Sequence, residues 1–257
     1  MVGAKTAAIT VKQTSSIFRV RAHNTAADSE NKIHDDRVAS AYGFRGGLVP
    51  GVTVYGYMIP PVLEQLGDGW LDHGSIAVRF HAPCYEGATV VARCDGSAVT
   101  AEQEDGTLYA SGLVGMDNAA DPPADAYPVH PLPETDLTDL RPVASSQTIV
   151  PATPLGSIRQ TLDVQDPAAI PERLLRMANE ILVRNFRMSP WIHAGSQVRH
   201  HRLARCGQEI TVTGVIQECF ERKGRRFAVA GIAMSAQNQP VASVRHTFIY
   251  DLSPLQA

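Results

Sequence analysis

The chain has 257 residues, a formal net charge of −3 at pH 7 and a hydrophobic content of 44%. That length holds one large domain or two of about 100–130 residues, with enough apolar side chains for real cores. A slightly acidic balance gives no global attraction to nucleic acid or to an anionic membrane, which favours a small-molecule role. The amino terminus lacks a basic stretch followed by an apolar one. No segment approaches the roughly 18 apolar residues of a membrane span, so the protein reads as cytoplasmic. Cys84, Cys94, Cys206 and Cys219 show neither CxxC spacing nor disulfide-scaffold density and read as reduced, mostly structural thiols.

In chain order, the first informative segment is the polar run Asp28-Ser29-Glu30-Asn31-Lys32-Ile33-His34-Asp35-Asp36. Acid, amide and imidazole this close can polarise a water. Asp35 and Asp36 read as caps of a short helix over 37–42, because acids favour a helix start. The turn Gly46-Gly47-Leu48-Val49-Pro50-Gly51 then opens an apolar helix over 52–66. Such a turn at a helix start offers backbone N–H groups to a developing oxyanion. Strand-type alternation follows at 76–81, 89–93 and 108–116, with a hairpin signal at Glu104-Asp105-Gly106. Residues 117–147 hold Pro122, Pro123, Pro128, Pro131, Pro133 and Pro142, a density that suits a wrapping connection. A second helix is expected over 172–187, then strands at 210–219 and 227–234 around the turn Arg222-Lys223-Gly224.

The two halves repeat. An offset of 120 aligns Val78-Arg79-Phe80-His81 with Val198-Arg199-His200-His201, Gly87 with Gly207, and His73 with His193. Two copies of one α+β unit are therefore expected, each a long helix on an antiparallel sheet. Residues 1–120 form the first, 121–147 the proline-rich connection and 148–257 the second. Because one such sheet alone would leave an edge and an apolar face exposed, the halves should pair into one continuous sheet.

Asn31, Ile33, His34, Asp36, Gly43, Phe44 and Gly51 resemble a motif of the MaoC-like (R)-specific enoyl-CoA hydratases and dehydratases. The unit of that family is the hotdog fold, and its larger members fuse two in one chain. The resemblance implies a double hotdog acting on acyl thioesters, carried by coenzyme A or an acyl carrier protein, with no metal or redox cofactor and with a homodimer possible. It implies that His34 passes protons during hydration of a trans-2-enoyl thioester or dehydration of a 3-hydroxyacyl thioester. A group titrating near neutrality suits that task. Asn31 would orient His34 or the water, and the Gly51 N–H would hold the thioester oxygen. Gly47, Val49 and Pro50 would face the substrate. Strict spacing puts Ser29 where the family has its catalytic Asp, and Lys32 replaces the usual Pro. A one-residue bulge would bring Asp28 to the acid position instead, so both residues stand as candidates. The second half lacks the motif, since 145–171 contains neither His nor Asn, which implies one active site per chain.

From 171 to 226 there are eleven Lys/Arg against five acids. This basic stretch reads either as a solvated face or as a site for coenzyme A phosphates or an acidic carrier, with Arg199 and Arg202 as contacts. His193, His200 and His201 do not read as a metal site, because neighbours in a strand point to opposite faces. His73 and His81 match His193 and His201 in the repeat, so these four read as shared packing or interface positions rather than catalytic ones. Two other readings stay open: a thioesterase, cyclase or isomerase on the same scaffold, and a non-catalytic acyl-binding subunit.

Overall fold

The computed structural model describes residues 15–116, 144–145, 149–188 and 190–252. The proline-rich connection lies almost wholly outside the described residues. The first half runs β1 (Ser16–Arg21), a 3-10 turn (Lys32–His34), α1 (Asp36–Ala41), α2 (Gly51–Leu66), α3 (Trp70–His73), β2 (Gly74–Phe80), β3 (Thr89–Asp95), β4 (Ala98–Gln103) and β5 (Leu108–Met116). After a short β6 (Ala144–Ser145) the second half runs β7 (Pro154–Thr161), α4 (Ile170–Asn185), β8 (Phe186–Arg187), β9 (Ile192–His200), β10 (Glu209–Arg222), β11 (Arg225–Ala236) and β12 (Gln239–Asp251).

Ten strands form one antiparallel sheet in the order β1-β3-β4-β5-β2-β9-β12-β11-β10-β7. Each half contributes five, and the halves join where β2 pairs with β9. At that seam Ala77 lies opposite Gln197, a separation of 197 − 77 = 120 residues, the repeat offset itself. A local two-fold axis through a strand pair must set a residue against its own counterpart, so the register is that of a symmetric dimer fused into one chain. Ile76 and Val78 point into the core and Ala77 and Arg79 outward, the period of two expected of a sheet with one covered face. Two hairpin turns use left-handed residues, Lys223-Gly224 and Gln237-Asn238, as tight two-residue loops demand.

The long helices lie on the inner face and touch each other. They differ for a reason visible in the chain. Val52, Val54, Tyr55, Met58, Ile59 and Val62 of α2 are all buried, because the helix packs against β1, β3, β4 and β5 on the sheet side and against α4 beside it. The segment between β7 and α4 is only 162–169, so α4 buries Leu174, Leu175, Ala178, Ile181 and Leu182 while Arg173, Arg176, Glu180 and Arg184 stay on its open side. The sequence expectation for α4 starts and ends two residues late; Asp166 caps the preceding turn and Pro171 sits in the first turn of the helix. No helix among the described residues is long and apolar enough to cross a membrane.

Candidate active site

A cavity of about 240 Å³ lies where α2 begins, between the 31–51 segment and the end of the seam. It takes Asn31, His34, Val49, Pro50 and Gly51 from the first half, and Asn179, Trp191 and His193 from the second. Apolar side chains fill out the wall, among them Ile33, Phe44, Val54 and Phe80. A larger outer cleft of about 680 Å³ shares Asn31, His34, Pro50, Asn179 and Trp191 with it and adds residues 23–30 with Gln160, Arg176 and Arg184.

Local sequence builds the first-half wall. Asn31 caps the 3-10 turn that carries His34, and Asp35 caps α1 by accepting from the Val38 N–H. Asp36 Oδ1 accepts the Gly47 N–H at 2.7 Å, which folds the glycine turn back onto the histidine. Gly47 is obligatory there: a Cβ would stand 2.1 Å from the His34 carbonyl oxygen. Gly51 opens α2, and the Pro50 carbonyl takes the N–H groups of Thr53 and Val54. The first N–H groups of a helix have no acceptor within it, so the Gly51 donor is available to a ligand oxygen.

The hydrogen bonds define the state of His34. The Leu48 carbonyl can only accept, so Nδ1 carries the proton of the 2.6 Å bond between them. On the other side, the Asn31 amide is fixed by the Trp191 backbone. Its Oδ1 accepts the Trp191 N–H at 3.1 Å and its Nδ2 donates to the Trp191 carbonyl at 3.0 Å. Nδ2 then offers its remaining hydrogen to His34 Nε2 at 3.4 Å. Nε2 is therefore the basic nitrogen, and a contact this long yields to a better donor at little cost. Burial holds the His34 pKa below its ordinary value; the Leu48 carbonyl opposes this and the Arg176 charge adds to it. The ring is neutral at neutral pH, as a proton acceptor must be.

Among the other sequence candidates, Val49 and Pro50 line the cavity, whereas Gly47 supports it from behind. Asp28 is exposed on the rim of the outer cleft. Ser29 Oγ donates to the Asn31 carbonyl at 3.3 Å. Neither is hydrogen-bonded to His34. Arg199 and Arg202 line neither space: Arg199 lies opposite Ser75 in the seam, and Arg202 is exposed and donates to Gln239 Oε1. Both follow the far end of β9, since the strand runs away from the cavity after Ala194. The cationic side chains at the outer cleft are instead Arg176 and Arg184 of α4. Arg176 bonds Glu172 on its own helix, Thr53 of α2 and Thr25 of the loop after β1.

Asn179, Trp191 and His193 were not expected in the site. Each nevertheless presents a buried polar atom without a partner, namely Asn179 Oδ1, Trp191 Nε1 and His193 Nδ1. Unpaired buried groups gathered around one cavity are what a polar ligand would satisfy. The repeat carried a partial signal, because His193 aligns with His73, yet His73 is exposed and His193 is not. Cys84 also lines the cavity, but burial pushes its thiol up to about 12, which leaves no thiolate nucleophile at neutral pH. At the opposite end of the seam the counterpart space is filled. His200, the counterpart of Phe80, meets the fully buried Trp70 edge-on at 4.9 Å, and Gly74 lies against that indole.

No family model and no curated protein sequence matches the chain. Solved structures do. A protein assigned as a MaoC domain dehydratase from Chloroflexus aurantiacus J-10-fl superposes with a TM-score of 0.59 at 10% identity, over 99% of this chain and 100% of its own. An acyl-CoA thioesterase II, TesB2, from Mycobacterium marinum gives 0.53 at 16% identity, over 82% and 92%. A hot dog fold protein from Alicyclobacillus acidocaldarius gives 0.53 at 14%, over 93% and 94%. Full-length similarity at such low identity establishes architecture, and together with the ten-stranded sheet and paired central helices it makes this chain a double hotdog.

Proposed function

We propose that the chain is an acyl-thioester enzyme that hydrates trans-2-enoyl thioesters or dehydrates 3-hydroxyacyl thioesters. The observation that carries this reading is His34, protonated on Nδ1, whose Nε2 lone pair meets only the long Asn31 contact and shares an apolar cavity with the first N–H of α2. In the dehydrating direction, Nε2 takes the α-proton and the electron pair moves toward the thioester oxygen, held by the Gly51 N–H. The imidazolium, its Nδ1–H still on the Leu48 carbonyl, then returns that proton to the β-hydroxyl, which leaves as water while the Cα–Cβ double bond forms. Asn31 keeps the ring in plane. The acyl chain occupies the inner cavity, and the thiol-bearing arm, of coenzyme A or a carrier protein, lies in the outer cleft beside Arg176 and Arg184.

One observation favours a second reading. No carboxylate is hydrogen-bonded to His34 among the described residues, so the imidazole could instead activate water for attack on the thioester carbonyl, as a thioesterase does. Crotonyl-CoA and 3-hydroxybutyryl-CoA, followed by enone absorbance and by thiol release in parallel, separate the two. Enone gain or loss without thiol release supports hydratase chemistry; thiol release that depends on His34 replaces it with hydrolysis.

A further inference from the structure

His193 stands on β9 with no exposure beyond 7% and packs its ring between His246, stacked at 4.1 Å, and Phe80, edge-on at 4.7 Å. Its Nε2 lies 2.8 Å from Ser196 Oγ, and the same hydroxyl lies 2.9 Å from His246 Nδ1. Its Nδ1 has no partner and borders the cavity. A Cβ placed on Gly51 would be 3.0 Å from that Nδ1, so the ring nitrogen and the helix-opening N–H are near enough for one oxygen to accept from both.

A serine hydroxyl has one proton to give, and with that proton given to one or the other of the two imidazoles the chain has two arrangements. In the first, His193 Nε2–H donates to Ser196, Ser196 donates to His246 Nδ1, and His246 must carry its own proton on Nε2. That nitrogen is buried without a partner, and His246 has zero exposure. The first arrangement therefore strands an N–H donor in the core. In the second, His246 Nδ1–H donates to Ser196, Ser196 donates to His193 Nε2, and the unpaired N–H becomes His193 Nδ1–H, which faces the cavity. Only a lone pair is left in the core. Stranded buried N–H donors are rarer and costlier than underused acceptors, so the second arrangement is favoured. Both rings are neutral, since burial holds His246 at about 3 and burial, with the neighbouring His246, holds His193 well below its ordinary value against the opposing contact with the Gly195 backbone.

We infer that His193, through Nδ1–H, is a second hydrogen-bond donor to the thioester oxygen, supplied by the second half to the oxyanion site that Gly51 opens in the first. The inference rests on the acyl-thioester reading for its ligand but not for its proton. A neutral imidazole suits this duty, because it donates without competing with His34 for the substrate proton.

The proton is tested in the free protein. In two-bond imidazole ¹⁵N–¹H correlation spectra, with the His193 signals assigned by their loss in His193→Leu, the expected ring is protonated on Nδ1. Protonation on Nε2 overturns the inference whatever the protein does to thioesters. The role is tested with crotonyl-CoA. His193→Leu should lower kcat by about 10²–10³ with a smaller change in KM. His193→Asn, whose amide nitrogen falls near the Nδ1 position, should recover about tenfold, the worth of one hydrogen bond. Ser196→Ala, which frees the tautomer, should fall between. Equal losses in the Leu and Asn variants, both melting like the parent, would remove His193 from the oxyanion site. If the parent itself leaves crotonyl-CoA untouched, hydration fails as a reading, and the NMR result alone decides the donor.

Discussion

Asn31 and Trp191, 160 residues apart in the chain, form a two-point hydrogen-bonded pair in which the amide of one reads both the N–H and the carbonyl of the other. The pair fixes which way the amide faces, and so makes His34 Nε2 an acceptor rather than a donor. Each half thereby depends on the other: the first supplies His34 and, through the Leu48 carbonyl, the proton on its Nδ1, and the second holds the Asn31 amide that meets its Nε2.

His34→Ala should abolish turnover of the responsive thioester while the melting temperature stays close to that of the parent, because the side chain is only partly buried and its one strong bond is to a loop carbonyl. The pH profile of kcat/KM in the parent should show an acid limb below the ordinary histidine range, since burial and Arg176 both disfavour the imidazolium. Removing that charge in Arg176→Met should move the limb to higher pH. A limb that stays in place would mean that another group is being titrated.

Asn31→Ala should affect stability and rate together. The Trp191 N–H and carbonyl lose their partner in a buried position, which costs about 1–3 kcal/mol, and His34 loses its fixed orientation, which costs roughly one to two powers of ten in rate. Chemical denaturation beside steady-state kinetics checks both. An unchanged midpoint would contradict the pairing across the seam.

Asp28→Asn and Ser29→Ala should each leave turnover within a few-fold of the parent, because Asp28 is exposed and Ser29 is turned toward the Asn31 carbonyl. A loss of about a hundredfold in Asp28→Asn alone, which is about 2.7 kcal/mol of transition-state stabilisation, would show that the 25–30 segment closes on His34 when substrate binds.

The buried histidines of β9 and β12 should make the protein acid-sensitive. Burial holds His200 at about 4 and His246 at about 3, both below the ordinary value of 6.5. The unfolded chain then binds more protons than the folded one as pH falls below about 6.5, so stability is full above that pH and declines beneath it. Each such histidine contributes about 1.4 kcal/mol per pH unit over that window. His200→Phe, which copies the counterpart residue Phe80, should flatten the fall of melting temperature between about pH 6.5 and 4.5. An equal slope in the variant would rule out His200 as a source.

Much of this architecture is local information. The apolar run after Pro50-Gly51, the alternation at 108–116 and the turn residues at Lys223-Gly224 determine the helix, the strand and the hairpin, because helical and pleated periods and left-handed turns are written in neighbouring side chains. The 120-residue offset pointed to two like halves in one continuous sheet, while the pairing of β2 with β9, which sets Ala77 against Gln197, is seen only in the structure. The spacing of Asn31, His34 and Gly51 likewise brought together one wall of the cavity.

The other wall belongs to the tertiary structure. Asn179, Trp191 and His193 reach the cavity only because β9 pairs with β2 and α4 lies beside α2, and no local period encodes which residues face a gap between two units. The same packing leaves Asp28 on a rim and carries Arg199 and Arg202 away along the strand, while α4 brings Arg176 and Arg184 to the outer cleft. Residue type and spacing determined where His34 stands and the helix that follows it. Which groups complete the site was decided by long-range pairing, where a residue's role depends on what stands opposite it rather than on its neighbours in sequence.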